Sequence, residues 1–220
     1  PGMHIIVVDD NSPDGTGRIA DEFARTDGLV HPLHRPAKLG LGTAHIAGIE
    51  LALGAGHDKI LTMDADFSHS PKYIPALVAG LDTFDLMIGS RYVPGGGTRY
   101  CPLKRRVLSR GANMFAKMVL GLRAGDCTAG FRAYRRAVLE SIELKGIFSN
   151  GYSFLIEILF KCQQAGWHIG ETPIIFEDRR HGSSKISRNE VIRALQTVTR
   201  LKRENGRLPG SITSNAARKK

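Results

Sequence analysis

With 220 residues, 42% of them hydrophobic, the chain is long enough to bury the core of one domain, and no segment reaches the roughly 18 consecutive apolar residues of a membrane-spanning helix. Its formal net charge of +10 predicts an anionic partner, which would be nucleic acid, an acidic lipid surface or a phosphorylated substrate. An aromatic content of 7% and the lack of a stacking or groove-reading motif argue against nucleic acid.

Strand-like and helix-like segments alternate through the N-terminal half of the chain. The β-branched run at 4–8 has no polar face, which predicts a parallel strand covered on both sides. The next expected elements are a helix at 16–26, a strand at 29–35, a helix at 43–53, a strand at 59–63, a helix at 71–81 and a strand at 85–89. This alternation predicts a doubly wound α/β domain.

The alternation ends after Ser90. A loop rich in glycine and proline at 92–102 precedes a long helix, basic and apolar, at about 103–120. The remaining expected elements are a helix near 151–165, an extended segment at 167–176 and a last helix near 187–203. Residues 204–220 are basic and poor in apolar side chains, so we expect a tail without stable structure after a single domain that spans 1–203.

Polar side chains follow three of the predicted strands. Asp10 ends the first strand, Asp64 and Asp66 follow the strand at 59–63, and Arg91 follows the strand at 85–89. The carboxyl ends of parallel strands form the ligand crevice of an open α/β sheet. We therefore expect two acidic strand ends and one arginine to converge on one crevice.

The Asp-x-Asp pair, Asp64 and Asp66, suits a hard divalent cation such as Mg²⁺ or Mn²⁺, with the remaining coordination positions left for phosphate and water. Taken alone, so short a motif more often caps a helix, here the one that begins at Pro71, or is simply solvated. The segment at 9–16 has the same two interpretations, because its residues are turn formers and its aspartates could also contact the edge of a nucleotide base.

The glycine-containing loop at 38–44 opens a helix, where free backbone N–H groups can bind an anion. It is not the dinucleotide-binding fingerprint, because His45 stands where the third glycine should fall. Packing of this helix against the sheet is at least as good an explanation of the glycines.

On the basic helix at 103–120, Arg105 and Ser109 share one face, and so do Arg106 and Arg110. Two interpretations stay open for this helix. It is either an ordinary basic surface helix or an interfacial helix that lies on anionic lipid and presents arginines to a phosphate.

Taken together, seven segments resemble the dolichyl-phosphate (polyprenyl-phosphate) mannosyltransferases, a branch of the family 2 glycosyltransferases. They occur in the family's order and cover nearly all of residues 5–200: VVDDNSPDGT, KLGLGTA, MDADFSHSPKYIP, GSRYVPGG, LKRRVLSRGAN, GFRAYRR and EDRRHGSSKIS. The resemblance implies a single α/β domain with the GT-A nucleotide-diphospho-sugar transferase fold, which is a mostly parallel twisted sheet flanked by helices.

The same resemblance implies inverting transfer of mannose from GDP-mannose to a dolichyl or polyprenyl phosphate. Val8 and Asp10 would contact the guanosine, and Asp64, Ala65 and Asp66 would hold the diphosphate. The two aspartates would bind the metal, Mg²⁺ or Mn²⁺.

The resemblance also assigns basic residues to the phosphates. Arg91, Arg179 and Lys185 would bind the donor's phosphates, and Arg105 and Ser109 would bind the acceptor phosphate. Asp66, Arg91 and Arg105 would carry the catalytic step.

Three widely spaced cysteines and the lack of a secretory leader predict a protein of the reducing cytoplasm. We expect it to lie peripherally on the cytoplasmic face of an anionic membrane, through surface helices or a small membrane-anchor protein. In this family a strand ending in a PTYNE-like motif precedes the VVDD strand, so we expect such a strand ahead of Pro1. The alternatives are a polyprenyl-phosphate glycosyltransferase that uses UDP-glucose or another donor, a basic binding protein and an inactive truncated homologue.

Overall fold

The computed structural model describes residues 2–149, 151–178 and 188–205, and the side chains of all of these except 188–192 and 205. The strands are β1 (Ile5–Asp9), β2 (Val30–His34), β3 (Lys59–Thr62), β4 (Leu86–Ser90), β5 (Gly97–Arg99), β6 (Arg132–Arg135), β7 (Ile169–Pro173) and β8 (Ile175–Glu177). The helices are α1 (Thr16–Thr26), α2 (Leu41–Gly54), α3 (Ile74–Gly80), α4 (Leu103–Leu120), α5 (Arg136–Ser141), α6 (Tyr152–Gln164) and α7 (Arg188–Asn205).

The strands form three hydrogen-bonded groups. β1 pairs with β2 in parallel, and β5 pairs with β8 in parallel. The central sheet has the order β3-β6-β4-β7, in which β6 is antiparallel to both of its neighbours and β4 and β7 are parallel. The predicted α/β fold with a mostly parallel sheet is confirmed, since three of the five pairings among the described residues are parallel.

The direction of the central strands brings two predicted site residues to one edge. β3 and β4 are both antiparallel to β6, so they run in the same direction. Asp64 follows the end of β3 and Arg91 follows the end of β4. Their backbones therefore leave the sheet at the same edge, as the sequence predicted.

Two hydrophobic clusters cover the two faces of the central sheet. On β4, Leu86 and Ile88 belong to the larger cluster, which also contains side chains from α2, α4, α5, α6 and α7. Met87 points to the other face and packs in the smaller cluster with Leu77 of α3 and Phe131. Because side chains alternate along a strand, β4 is buried on both faces.

Two helices begin and end where the sequence predicted, namely α1 and α4. Pro71 begins a 3₁₀ turn that leads into α3. The predicted tail begins inside the last helix, because α7 extends to Asn205, and its residues 206–220 lie outside the described residues.

Three details of the prediction need correction. β1 is only partly covered, because Ile5 is 46% exposed and the next three residues are half-buried. The Gly- and Pro-rich segment is not all loop, since β5 lies within it and pairs with β8. β6, which the sequence analysis does not predict, occupies the middle of the central sheet.

Candidate functional site

The Asp64–Asp66 loop is held from below by His69. The ring of His69 is buried, and its Nδ1 accepts a hydrogen bond of 3.1 Å from the backbone N–H of Asp64. Burial lowers the pKa of His69, despite the opposing charge of the two aspartates, which keeps the ring neutral and able to accept. Asp66 Oδ1 accepts hydrogen bonds from the backbone N–H and the hydroxyl of Ser68, at 3.1 and 2.5 Å.

Arg91 directly follows β4 and is held by a buried carboxylate. Its Nε and Nη2 donate to the two oxygens of Asp126 at 2.7 and 2.8 Å, and Nη2 also donates to the hydroxyl of Thr128 at 2.7 Å. Burial alone would raise the pKa of Asp126, but the hydrogen bonds and charge of Arg91 outweigh it and lower the pKa. The same pairing raises the pKa of Arg91, so both groups stay ionised.

The loop that carries Asp126 is fixed by two further side chains. Glu171 of β7 accepts hydrogen bonds from the backbone N–H groups of Gly125 and Asp126, at 2.6 and 3.0 Å. Asn113 of α4 donates to the carbonyl of Gly125 at 2.6 Å and accepts from the N–H of Cys127 at 2.7 Å. Buried polar groups that are fully bonded in this way make a rigid support.

These contacts close a ring between α4 and the end of β4. Ser109 of α4 is 2.9 Å from the hydroxyl of Tyr92, the residue after Arg91. Arg91 binds Asp126, and the neighbours of Asp126 bind Asn113, one turn of α4 beyond Ser109. The predicted donor-side arginine and the predicted acceptor-side helix therefore belong to one hydrogen-bonded unit.

Arg105, in the first turn of α4, is paired with Asp178. Its Nη1 lies 2.6 and 2.7 Å from the two carboxylate oxygens, and Asp178 follows the end of β8. Ser109, four residues further along α4, contacts Tyr92 in the segment between β4 and β5. Arg179 and Lys185, which were also predicted to bind phosphate, lie outside the described residues.

Asp10 lies at the end of β1 and is paired with an arginine that the sequence analysis did not single out. Its Oδ1 is 3.1 Å from Nε of the buried Arg35, which donates to the hydroxyl of Thr43 at 2.8 Å. Val8 packs close to Gly48 of α2, where an added Cβ would meet its methyl group at 3.0 Å. The described contacts link these two residues to α2.

The glycine-containing loop before α2 serves packing. A Cβ on Gly42 would lie 3.1 Å from Phe154, so this glycine lets α2 approach α6. Gly40 has a φ of 105°, a conformation that favours glycine. Of the two interpretations of this loop, the geometry favours packing. The element that packs against Gly42 is α6 and not the sheet.

Two of the predicted residues of the central sheet approach the buried ring of His69. Its Nδ1 lies 3.9 Å from Asp64 Oδ2, and the ring of Phe176 lies 5.5 Å from both the His69 ring and the Arg91 guanidinium. A Cβ on Gly130 would lie 3.4 Å from Asp64 Oδ1, so the backbone before β6 lies against the carboxylate. Asp64, Asp66 and Arg91 are thus brought together, whereas Asp10 lies with Arg35 beside α2.

The donor set of this loop fits a hard cation. Two carboxylates separated by one residue offer oxygen ligands, which Mg²⁺ and Mn²⁺ prefer, and Asp64 remains partly exposed. Within the described ranges, no three His, Cys, Asp or Glu side chains form a metal-binding group. A cation here would therefore draw its other ligands from water and from a bound phosphate.

Arg132 of β6 is a buried cation below the site. It is 0% exposed, and its Nη2 donates to the carbonyl of Cys127 at 3.0 Å. Its Nε and Nη1 are buried and have no hydrogen-bond partner in the part of the chain that the structure describes. Burying these donors without a partner costs free energy of folding.

The outer face of α4 is apolar and exposed. Leu103, Val107, Met114 and Met118 fall on one stripe of the helix and are between 59% and 71% exposed. Lys104 and Lys117 lie on the same helix. Across the described residues, every helix is too short or too polar to cross a bilayer.

The sequence analysis missed the residues that position the predicted ones. Asp126 and Glu171 act through contacts between distant segments, which no local spacing reveals. His69 and Asn113 had a signal in the chain, since they lie within the segments MDADFSHSPKYIP and LKRRVLSRGAN.

Comparison with known proteins supplies the family. Residues 1–143 match the model of glycosyl transferase family 2. The chain is 46% identical over 200 residues to the polyprenol monophosphomannose synthase of Mycolicibacterium smegmatis, covering 90% of this chain and 76% of that protein. It is 45% identical over 200 residues to the undecaprenyl-phosphate mannosyltransferase of Micrococcus luteus, covering 91% and 82%.

Solved structures with the same fold are more distant in sequence. The mannosyl-3-phosphoglycerate synthase of Rubrobacter xylanophilus matches with a TM-score of 0.64 at 18% identity, over 96% of this chain and 67% of that one. The glucosyl-3-phosphoglycerate synthase of Mycobacterium tuberculosis, in complex with Mn²⁺ and UDP-glucose, matches with a TM-score of 0.59 at 21% identity, over 94% and 69%. Together with the family match, these likenesses confirm the predicted GT-A fold, and the chain is a glycosyltransferase that belongs to glycosyl transferase family 2.

Proposed function

We propose that the protein transfers mannose from GDP-mannose to a polyprenyl or dolichyl phosphate, with inversion at the anomeric carbon. The observation that carries the proposal is the identity of 45–46% to two mannosyl-transferring enzymes of polyprenyl phosphates over nine-tenths of the chain. The product is a lipid-linked mannosyl phosphate.

On the donor side, the nucleotide sugar lies along the ends of β1, β3 and β4. Val8 and Asp10 contact the guanosine, and Ala65 contributes its backbone between the two aspartates. Arg91 offers the diphosphate its Nη1, since the described hydrogen bonds of this side chain use Nε and Nη2. Arg179 and Lys185 bind the same phosphates from the segment beyond Asp178.

Asp64 and Asp66 would hold Mg²⁺ or Mn²⁺ against the diphosphate. The cation supplies positive charge that stabilises the departing GDP. His69 fixes the backbone of Asp64, and Ser68 fixes the carboxylate of Asp66, so both ligands are oriented by the protein.

On the acceptor side, Arg105 and Ser109 bind the phosphate of the polyprenol. A phosphate monoester has a second pKa near 6, so the acceptor is largely a dianion at neutral pH and needs no general base. Arg105 offers its Nε and Nη2, because Nη1 is bound to Asp178.

The reaction is a single displacement. An acceptor phosphate oxygen forms the bond to the anomeric carbon of mannose, and the bond from that carbon to the β-phosphate oxygen of GDP breaks with its electron pair. The ring Ser109–Tyr92–Arg91–Asp126–Asn113 holds the two substrates' binding groups in fixed relation, which contributes to rate through positioning.

The apolar stripe of α4 supports a peripheral location on an anionic membrane, on its cytoplasmic face. Four exposed apolar side chains would enter the interface while neighbouring lysines meet acidic headgroups. Arg105 then lies on the helix that touches the lipid, where a polyprenyl phosphate resides. A small membrane-anchor protein is a further partner that we infer.

The test is a transfer assay with the full-length protein. GDP-mannose, Mg²⁺ or Mn²⁺ and a polyprenyl phosphate should give a mannosyl lipid, whereas UDP-glucose should give little glucosyl lipid. Replacing Asp66→Asn should lower the rate about 100-fold or more, because charge at the leaving group is lost.

Asp82→Asn is the matched control, since Asp82 is an exposed aspartate paired with Lys59 on the surface. It should retain full activity. Preference for UDP-glucose would replace the donor in this proposal, and a fully active Asp66→Asn protein would refute the assigned site.

A further inference from the structure

A polar cavity away from the proposed active site lies between the start of α6, the segment before it and α7. Its volume is about 330 Å³, at the lower end of the range for small-molecule sites. It is lined by Phe148, Ser149, Ser153, Arg193, Gln196, Thr197 and Arg200. None of these residues belongs to the proposed donor or acceptor site.

One wall of the cavity is cationic. Arg193, Thr197 and Arg200 are spaced four and three residues apart, so they share one face of α7. The Arg200 guanidinium lies over the ring of Phe148 at 3.7 Å, and its Nε donates to Glu204 at 2.8 Å. Its Nη groups donate to no described residue, and Arg193 has no ion pair within the described ranges.

Two hydroxyl groups that line the cavity, one on α6 and one on α7, lack partners among the described residues. Ser153, in the first turn of α6, is only 2% exposed, and its hydroxyl has no hydrogen bond to any described residue. Thr197 is 7% exposed and its hydroxyl is in the same state. Both side chains line the cavity, so their hydroxyls are available to a ligand that accepts hydrogen bonds.

The backbone adds to the positive potential. The residue before α6, Gly151, has no side chain to cap the helix, so the first N–H groups of α6 remain at the positive end of its dipole. Two carboxylates lie beside the cavity. Glu157 accepts hydrogen bonds from Ser149 and lies 3.5 Å from Lys161, so its charge is compensated within the protein. Glu204 is paired with Nε of Arg200.

We propose that this cavity binds a phosphomonoester dianion. Two arginines, two hydroxyls and a helix N-terminus supply donors and positive charge on opposite walls, which matches a small acceptor of double negative charge. The ligand is either the headgroup of a lipid such as phosphatidate or a soluble phosphomonoester. The site goes beyond the proposed function, because it needs neither mannose nor a nucleotide.

Calorimetric titration of the full-length protein with inorganic phosphate and with glycerol 3-phosphate tests the site. The titration uses an Arg105→Gln background, which weakens binding at the proposed acceptor position. We expect saturable binding that weakens about tenfold in Arg193→Gln and in Ser153→Ala, the loss typical of one hydrogen bond to a charged group. Arg203→Gln is the matched control, because it removes the same charge from α7 outside the cavity lining.

Vesicles identify the source of the phosphate. Phosphatidylcholine vesicles that contain phosphatidate are compared with vesicles that contain the diester phosphatidylglycerol. Binding that prefers phosphatidate and depends on Arg193 indicates a lipid headgroup, and binding of glycerol 3-phosphate without this preference indicates a soluble ligand.

Two results would overturn the proposal. One is the lack of saturable phosphate binding, and the other is an equal loss in Arg193→Gln and Arg203→Gln, which would mean general charge attraction. Calorimetry does not require transfer, so a protein without mannosyltransferase activity would refute the proposed function and leave this result intact.

Discussion

Arg91 and Arg105 are both proposed to bind phosphate, and each is paired with an aspartate, but their surroundings differ. Asp126, the partner of Arg91, is 0% exposed and is fixed by Glu171 and by the backbone of its own loop. Asp178, the partner of Arg105, is partly exposed and follows the last strand.

The difference indicates that the Arg91 pair mainly stabilises the fold, whereas the Arg105 pair is available to bind a ligand. The Arg91 pair is built into the protein, because removing either partner would leave a buried charge without compensation. The Arg105 pair is more open, with side chains 23% and 12% exposed against 13% and 0% for the Arg91 pair, so its arginine is better placed to exchange a carboxylate for a phosphate. We therefore expect changes at Arg91 to act through the fold, and changes at Arg105 to act through the acceptor.

The largest effect is expected from Asp126→Asn. The substitution leaves the Arg91 guanidinium buried without its counter-charge, so the free energy of unfolding should fall by about 3–5 kcal/mol. Urea denaturation followed by circular dichroism measures this loss. The control is Glu140→Gln, which removes an exposed pair with Arg136 and should cost about 0.5 kcal/mol or less. Equal losses in the two variants would contradict the comparison.

Acid sensitivity sharpens the same contrast. Since the folded-state pKa of Asp126 is lowered below the unfolded value of about 3.9, its contribution to stability is complete above that pH and is lost as the pH falls through the folded pKa. The wild-type protein should therefore lose stability below about pH 4, and Asp126→Asn should show a shallower loss there. If the free energy of unfolding fell equally with pH in both proteins, the proposed stabilisation by the ionised Asp126–Arg91 pair would be contradicted.

A smaller effect is expected from Asn113→Ala, which opens the ring at α4. Two hydrogen bonds to the Gly125–Cys127 backbone are lost, so the free energy of unfolding should fall by about 1–3 kcal/mol. Met114→Ala, at an exposed position next to it on α4, should change stability by about 0.5 kcal/mol or less. Urea denaturation of both variants measures these changes. An Asn113→Ala protein as stable as the wild type would show that the ring of contacts does not contribute to stability.

The smallest expected effect is a local change in the reactivity of a buried cysteine, which alkylation measures. Cys127 and Cys162 are buried, and burial raises the pKa of both thiols to about 12, whereas Cys101 is partly exposed. Mass spectrometry after brief alkylation of the native protein should find only Cys101 modified. In Asp126→Asn, Cys127 should become reactive before Cys162. Simultaneous exposure of both buried thiols would indicate global unfolding.

The sequence predicted most of the helices and the position of the acidic site. The helices α1 and α4 carry clear periodic and charge patterns, and Asp64 and Asp66 directly follow an apolar strand, so local rules suffice for them. The same local rules do not predict the order of the strands in the central sheet. β6 contains Arg132 and Arg135, which give it the composition of a surface segment, yet Arg132 is fully buried.

The supports of the site were also hidden from the sequence. Asp126 binds a residue 35 positions away, and Glu171 binds the same loop from 45 positions away. No periodicity or spacing relates such residues, because their contact exists only once the sheet and α4 are assembled. The residues that touch substrate in our proposal lie at strand ends, and those that position them come from across the fold.

The central claim is that Arg105 recognises the acceptor while the Arg91 side holds the donor. Steady-state kinetics of Arg105→Gln, with GDP-mannose and polyprenyl phosphate each varied, test it most directly, with Arg106→Gln as the neighbouring control. The account predicts that the KM for polyprenyl phosphate rises about tenfold in Arg105→Gln while the KM for GDP-mannose stays unchanged, as expected when one charged contact to the acceptor is lost. An unchanged KM for the acceptor, or an equal rise for both substrates, would contradict it.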